Sequence, residues 1–216
     1  MIVLPNRDLV AGALARAGVD IDPAVVPQAH YRAVHAFDRA GASNPTYVRA
    51  FVAELGVAPE RIEAALLTLA ELGDRTRSGV VMWSELTRGA VATIAALRRA
   101  GFAVVIVTNS DGHAAENLAD SGVPDVPVID SVVVGSEKPD TRIFEAALAS
   151  AGAGIRATEV VHVGDTLSAD VAGARAADIT PIHFDPMRAC RARDHRHVRS
   201  LPGIWQHIHR PLGKNL

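Results

Sequence analysis

An unbroken apolar run at residues 103–107, Ala-Val-Val-Ile-Val, constrains the fold of this chain more than any other feature. Such a run is typical of a parallel strand that is buried on both faces. It leads into the polar loop Thr-Asn-Ser-Asp-Gly, and a second predicted strand at 159–163 leads into Gly-Asp-Thr. Further predicted elements alternate with these two: helices at 87–100, 114–120, 139–151 and 201–208, and strands at 132–134 and 181–184. The order predicts an α/β fold with a doubly wound, Rossmann-like parallel sheet.

The segment 18–82 differs, because its apolar residues recur at helical spacing and no strand pattern is convincing. Pro45 and Pro59 suit the first turns of helices, where the missing amide hydrogen costs nothing. We therefore expect a core domain of residues 1–17 and 83–216. Residues 18–82 would be inserted into it as a helical subdomain.

Composition narrows the class of partner rather than the fold. The net charge of −2 argues against nucleic acid or an anionic membrane as the general partner. No apolar run approaches the roughly 20 residues that cross a bilayer, and no signal-peptide pattern stands at the beginning. We expect a cytoplasmic protein, and nothing in the sequence indicates its oligomeric state. The single cysteine, Cys190, cannot form an internal disulfide and is assigned no role.

Thr108 and Asn109 follow the first buried strand, at the place where parallel α/β sheets bind ligands. A hydroxyl and a backbone amide there can donate to a phosphoryl oxygen, although a polar turn of this kind is also a common helix cap. Lys138 stands before Pro139 and a predicted helix, where its ammonium could neutralise a phosphoryl group. Only Lys138 and Lys214 among the 22 basic residues are lysines, which favours a specific role over a surface lysine.

Asp165 and Asp170 form the third candidate. Asp165 closes the second buried strand, and Asp170 lies one turn into the next predicted helix. Two carboxylates in this arrangement can hold Mg²⁺ through oxygen and water ligands. The alternative is a helix-capping aspartate followed by a solvated one.

In this order the three loops resemble motifs II, III and IV of the haloacid dehalogenase (HAD) superfamily. The resemblance covers residues 83 to about 184, and the helical insert resembles the small α-helical cap that these proteins place after motif I. It implies a Mg²⁺-dependent phosphatase that acts on a small phosphorylated metabolite through an aspartyl-phosphate. The implied roles are phosphate binding by Thr108, Asn109 and Lys138, Mg²⁺ binding by Asp165 and Asp170, and catalysis by Thr108, Lys138 and Asp165. A dehalogenase, or a non-catalytic binding protein with the same fold, are the alternatives.

The resemblance also requires motif I, a strand that ends in a nucleophilic aspartate, and no Asp-x-Asp pair precedes the helical segment. In one interpretation Ile2 to Leu4 is that strand, Asn6 replaces the nucleophile and Asp8 is the acid, so that the site is degenerate. In the other, the motif I strand lies upstream of Met1, Ile2 to Leu4 belong to the turn after it, and Asn6 merely caps the helix 7–17. We favour the second, because loss of a central strand would leave backbone groups of both neighbours unpaired.

Two groups of polar residues remain. The first shares a predicted helix and could select the substrate, although a solvated face is the simpler expectation: His30, Tyr31, Arg32 and His35. The second lies near the end of the sequence among many arginines: His195, His197, His207 and His209. Their spacing matches no specific zinc pattern, and we expect a mobile basic surface there.

Overall fold

The structure, a computed structural model, describes residues 1–40, 46–74 and 80–208. Pro45, His209 and Lys214, which figure in the sequence predictions, lie outside these ranges. Contacts divide the chain into two compact units, residues 1–87 with 187–191 and residues 88–186 with 192–216. Within the described ranges, no helix has both the length and the apolar character needed to cross a membrane.

The first unit is mainly helical. Its described residues form two short strands and four α-helices, in the order β1 (Val3–Pro5), α1 (Arg7–Arg16), α2 (Val26–Ala40), α3 (Tyr47–Glu54), α4 (Ile62–Gly73) and β2 (Trp83–Leu86). One apolar core joins α1 to the other helices, with Val10 and Leu14 buried in the same cluster as Phe51 and Leu69. The packing therefore places α1 with the helical segment, whereas the sequence analysis divided the chain after residue 17.

His30 on α2 belongs to this core rather than to a solvated face. It is 3% exposed, its Nδ1 lies 2.8 Å from the hydroxyl of Tyr47, and its ring packs edge-on against Trp83. Arg32 is exposed as expected, while Tyr31 and His35 are half-buried. The expected solvated position of His30 was wrong, because the hydroxyl of Tyr47 and the rings of Tyr31, Tyr47 and Trp83 compensate for the loss of water.

The two strands of the first unit form an antiparallel ribbon. Val3 pairs with Leu86, and Leu4 pairs with Glu85. Asn6 follows β1 and caps α1, since its side-chain oxygen accepts hydrogen bonds from the amides of Asp8 and Leu9. This is the role that the second interpretation of the amino-terminal segment gives to Asn6. A central parallel strand ending at Asn6, as the degenerate-site interpretation requires, does not match this antiparallel pairing.

The second unit is an α/β domain in which every described strand pairing is parallel. Its elements are α5 (Ala90–Arg99), β3 (Ile106–Thr108), α6 (Ala114–Asp120), β4 (Val128–Asp130), α7 (Ser131–Val134), α8 (Thr141–Ala151), β5 (Val161–Gly164), α9 (Ala172–Ala176), β6 (Thr180–Phe184) and β7 (Arg196–Val198). β3 pairs with β4, while β5, β6 and β7 pair in that order. Ile143 and Phe144 of α8 are buried against Val107 of β3 and Val160 before β5. This core confirms the predicted α/β class.

Several predicted boundaries were wrong. Residues 132–134 belong to the short helix α7 and are largely exposed, because the strand ends at Asp130, whose carboxylate caps α7 through the amide of Val132. The helix predicted from Pro139 begins at Thr141 with Asp140 as its cap, and the Lys138–Pro139 peptide before it is cis. The last helix is a 3₁₀ helix, Leu201–Gln206.

β7 was not predicted at all. Residues 196–198, Arg-His-Val, lie in the region expected to be a mobile basic surface, yet they pair with β6 along three residues. A three-residue strand with one apolar side chain offers no periodicity that could reveal it.

Candidate active site

Asn109 and Lys138 join two loops at the carboxyl ends of the strands β3 and β4. The side-chain oxygen of Asn109 accepts from the Lys138 amide at 2.8 Å, and its side-chain nitrogen donates to the Lys138 carbonyl oxygen at 3.0 Å. A primary amide has an acceptor oxygen and a donor nitrogen, so that a single side chain satisfies both main-chain groups of the lysine. The predicted phosphate-binding loop thus fixes the backbone from which the Lys138 side chain extends.

The ammonium group of Lys138 is fixed as well. Its Nζ lies 2.7 Å from Oδ1 of Asp170 and 3.5 Å from the carbonyl oxygen of Val107 on β3. Only 12% of the lysine side chain and 4% of the aspartate side chain are exposed. His162 on β5 directs its Nε2 to the same Oδ1 at 2.9 Å. Asp170 therefore binds one group from the loop between α7 and α8 and one group from β5.

The second oxygen of Asp170 is also engaged. Oδ2 accepts from the amide and from the hydroxyl of Thr166, at 3.1 and 2.7 Å. Burial alone would raise the pKa of Asp170, but the charge of Lys138 and the hydrogen bond and charge of His162 hold that pKa well below its usual range. Asp170 is an anion whose two oxygens already serve four protein donors.

Gly164 allows the carboxylate to sit there. A side chain at this position would overlap the carboxylate of Asp170, since a Cβ built on Gly164 meets it well inside van der Waals contact. Position 164 therefore requires glycine for lack of space beside Asp170, and not for backbone flexibility.

Asp165 stands directly after β5 and is half-buried. Its carboxylate is the hard oxygen donor that Mg²⁺ requires, and its place at the carboxyl end of a parallel strand suits a metal ligand. The fit of Asp170 is different, because a metal bound directly would have to displace one of the four donors described above. The residues present therefore fit Mg²⁺ through Asp165, with Asp170 acting on Lys138.

Asp130, which was not predicted from the sequence, stabilises the predicted phosphate-binding loop through hydrogen bonds. It is 4% exposed, and its carboxylate accepts from the amides of Gly112 and Ala114 as well as Val132. Thr108 lies opposite Asp130 in the β3–β4 register and is half-buried. The loop between Thr108 and α6 is thereby tied to the next strand.

The structure brings together Thr108, Asn109, Lys138, Asp165 and Asp170 within the α/β unit. Their roles in binding and catalysis stay predictions. The sequence analysis missed His162 and Thr166, which hold Asp170. His162 lies within an otherwise apolar strand, and only that contrast could have marked it. Thr166 follows the Gly-Asp pair and could have been recognised as a cap, four residues before Asp170.

Comparison with known proteins identifies the family. Residues 5–178 match the haloacid dehalogenase-like hydrolases. The chain belongs to this family. Two curated relatives are phosphatases: a ribulose-1,5-bisphosphate 5-phosphatase of Halopiger xanaduensis, 35% identical over 53% of this chain and 48% of its own length, and a phosphoserine phosphatase of Thermus thermophilus, 34% identical over 72% and 59%. The chain thus spans about half to three fifths of these relatives.

Solved structures of HAD proteins share the fold. A HAD-hydrolase from Bacillus subtilis bound to magnesium has a TM-score of 0.64 and 19% identity, over 96% of this chain and 94% of its own. A 2-haloacid dehalogenase from Pseudomonas syringae has a TM-score of 0.53 and 19% identity, over 95% and 93%. At this low sequence identity the similarity shows a shared fold, and the reaction has to be inferred from the residues of the site.

Proposed function

We propose that this HAD-family chain is the phosphate-binding and metal-binding part of a Mg²⁺-dependent phosphatase for a small phosphorylated metabolite. The observation that carries the proposal is Lys138, whose main chain is held by Asn109 and whose ammonium is held by Asp170. A cation fixed at both ends costs little to reorganise when negative charge develops beside it. The phosphatase names of both curated relatives support the same class of substrate.

Each side chain has a separate role in this proposal. The Asn109 side chain is occupied with Lys138, so a phosphoryl group would be bound by the Asn109 amide and the Thr108 hydroxyl. Lys138 would balance the charge of the phosphoryl group and of the nucleophile. Mg²⁺, when bound, would supply further charge neutralisation at the phosphoryl oxygens. Asp165 favours this metal-assisted reaction over the metal-free dehalogenase alternative.

The nucleophile is the remaining part of the proposal. Among the described strands, β3 pairs only with β4, and β5 pairs only with β6, so each has one side without a described strand partner. Lys138 contacts Val107 of β3 and also Asp170, which in turn contacts His162 of β5, so the carboxyl ends of the two strands lie near one another. A parallel strand between β3 and β5 would deliver an aspartate to the Thr108, Lys138 and Asp165 loops. We propose that this strand lies upstream of residue 1, as the role of Asn6 also suggests. The cytoplasmic location stays a prediction.

The decisive experiment compares two proteins, residues 1–216 and the same chain extended by the in-frame codons upstream of Met1. Each is assayed for phosphate release from a panel that includes phosphoserine and ribulose-1,5-bisphosphate, with Mg²⁺ and with EDTA. We expect turnover only from the extended protein and only with Mg²⁺. Turnover by residues 1–216 would refute the upstream nucleophile, and an inactive extended protein would support the non-catalytic alternative.

Lys138→Met in the extended protein tests the carrying observation. It keeps the length of the side chain and removes the charge, and we expect kcat to fall by at least about 100-fold, the usual cost of one electrostatic group at a reacting centre. Arg142→Met is the matched control, because Arg142 lies just beyond the same loop and its exposed side chain pairs with Asp140. An unchanged kcat in Lys138→Met would remove the lysine from the mechanism.

A further inference from the structure

Three histidines meet at the β6–β7 edge of the α/β unit. His183 on β6 is directly paired with His197 on β7, and His195 lies two residues before His197, just ahead of β7. The ring centroids of His195 and His197 are 4.5 Å apart, and each lies 5.3 Å from the centroid of His183. Each ring offers a nitrogen within 4.8 Å of a nitrogen of the other two.

Two of the rings are oriented by outer partners. Nδ1 of His195 lies 2.8 Å from Oδ1 of Asp194, and Nε2 of His183 lies 3.2 Å from the carbonyl oxygen of Asp165. A carboxylate or a carbonyl oxygen can only accept, so these nitrogens carry the hydrogens. The lone pairs of the neutral rings are then on Nε2 of His195 and Nδ1 of His183. Histidine ligands of metals are typically held by such carboxylate or carbonyl partners.

The two inward nitrogens lie 3.4 Å apart. Zinc binds histidine nitrogen at about 2.0–2.1 Å, and a tetrahedral angle between two such bonds separates the nitrogens by about 3.3–3.4 Å. As a hydrogen bond the same separation is long, since N–H donors normally approach within about 3.2 Å. The observed spacing suits two ligands of one cation better than a shared proton.

His197 supplies the independent observation. Its Nε2 is buried and has no hydrogen-bond partner among the described residues. A buried polar nitrogen without a partner costs free energy, and a metal ion would remove that cost. Burial, together with the neighbouring His195 and His183, lowers the pKa of His197. The neutral ring is the form that binds metals.

We propose that His183, His195 and His197 form a binding site for one divalent transition-metal ion of the Zn²⁺ class. Imidazole nitrogens prefer this class, whereas Mg²⁺ prefers oxygen. The site is separate from the proposed Mg²⁺ site and does not depend on the proposed phosphatase function. Because His183 donates to the main chain of Asp165, a metal here would also rigidify the loop that carries Asp165.

Calorimetric titration of the metal-free 216-residue chain with Zn²⁺ at about pH 7.5, together with elemental analysis, tests the proposal. We expect one Zn²⁺ per chain and no competition from Mg²⁺. Failure of the wild-type chain to bind Zn²⁺ would overturn the proposal without any variant.

Substitutions locate the binding. His197→Gln and His195→Gln should each weaken Zn²⁺ binding by at least about 100-fold, and Asp194→Asn by about 10–100-fold because it only orients a ligand. His113→Gln, an exposed histidine of the same unit, and Asp165→Asn, in the proposed Mg²⁺ site, are controls that should keep full binding. If His197→Gln, shown to be folded by circular dichroism, bound Zn²⁺ like the wild type, the three-histidine site would be refuted.

Discussion

Two buried polar clusters of the α/β unit differ in the charges that they bring together. Around Asp170, a carboxylate receives Lys138, His162 and both donors of Thr166, so opposite charges meet and each oxygen is satisfied. Around His183, three similar rings converge, and a buried nitrogen of His197 has no described partner. The first cluster is complete from protein groups alone, while the second gains most from an added cation.

The largest effect should follow from breaking the complete cluster. Asp170→Asn keeps the shape but leaves the buried Lys138 ammonium without its anion, and we expect the free energy of unfolding in urea to fall by about 3–5 kcal/mol at about pH 7. Asp140→Asn is the control, because that carboxylate pairs with Arg142 at the surface and should matter little. Equal stability of Asp170→Asn and wild type would contradict the comparison.

The same variant has a defined pH dependence. The pKa of Asp170 is lowered in the folded protein, so its stabilisation is present above the ordinary value of 3.8 and is lost as the pH falls further toward the folded pKa. The stability difference between wild type and Asp170→Asn should therefore shrink below about pH 4. A difference that stayed constant from about pH 7 to pH 3 would show that the charge of Asp170 is not responsible.

The second largest effect should come from adding a metal ion to the three-histidine cluster. Zn²⁺ at about 100 times its dissociation constant should raise the free energy of unfolding of the wild-type chain by about 2.7 kcal/mol, if the unfolded chain does not bind it. Thermal or urea unfolding with and without Zn²⁺ measures the change. His197→Gln should show no such gain, and Mg²⁺ should not reproduce it in either protein.

A smaller effect on stability is expected for Asn109, whose hydrogen bonds to Lys138 involve no charged group. Asn109→Ala removes both bonds to the Lys138 main chain, and we expect a loss of about 1 kcal/mol, with faster exchange of the Lys138 amide hydrogen. Asn109→Asp keeps the acceptor and should preserve part of the amide protection. If Asn109→Ala left that exchange rate unchanged, the two loops would not depend on Asn109.

The smallest effect on stability is expected for the exposed pair of Asp140 and Arg142. The Arg142 side chain and its amide lower the pKa of Asp140 to about 2. Arg142→Gln should move that pKa back toward 3.8, as an NMR titration of the carboxyl would show, with no resolvable change in stability. The contrast with Asp170 separates the effect of burial from that of pairing.

The sequence predicted the features that depend on local pattern. α6 has its predicted bounds, and residues 106–107 and 161–163 lie in strands within the apolar runs. The loops of Thr108, Lys138 and Asp165 follow from those strands. The prediction failed at residues 132–134, where three valines suggested a strand but the capping carboxylate of Asp130 starts a helix. β-Branched residues favour strands only as long as nothing local competes.

The histidine site could not be predicted, because it depends on register. His183 and His197 are fourteen positions apart in sequence and become neighbours only when β7 pairs with β6. The same holds for His162, which reaches Asp170 only once the chain has turned after β5. Sequence patterns identified the strands and the loops that follow them. Contacts between side chains of different strands could be identified only from the folded structure.

The ribbon of β1 and β2 has a consequence for how such a chain can be altered. Leu4 pairs with Glu85 across the ribbon, so the helical segment between the two strands begins and ends at neighbouring positions. A connection whose two ends already touch can be lengthened, shortened or exchanged at small entropic cost. The helices between Pro5 and Trp83 can therefore be exchanged as one segment, and replacing them with the corresponding helices of another HAD protein would test whether they select the substrate.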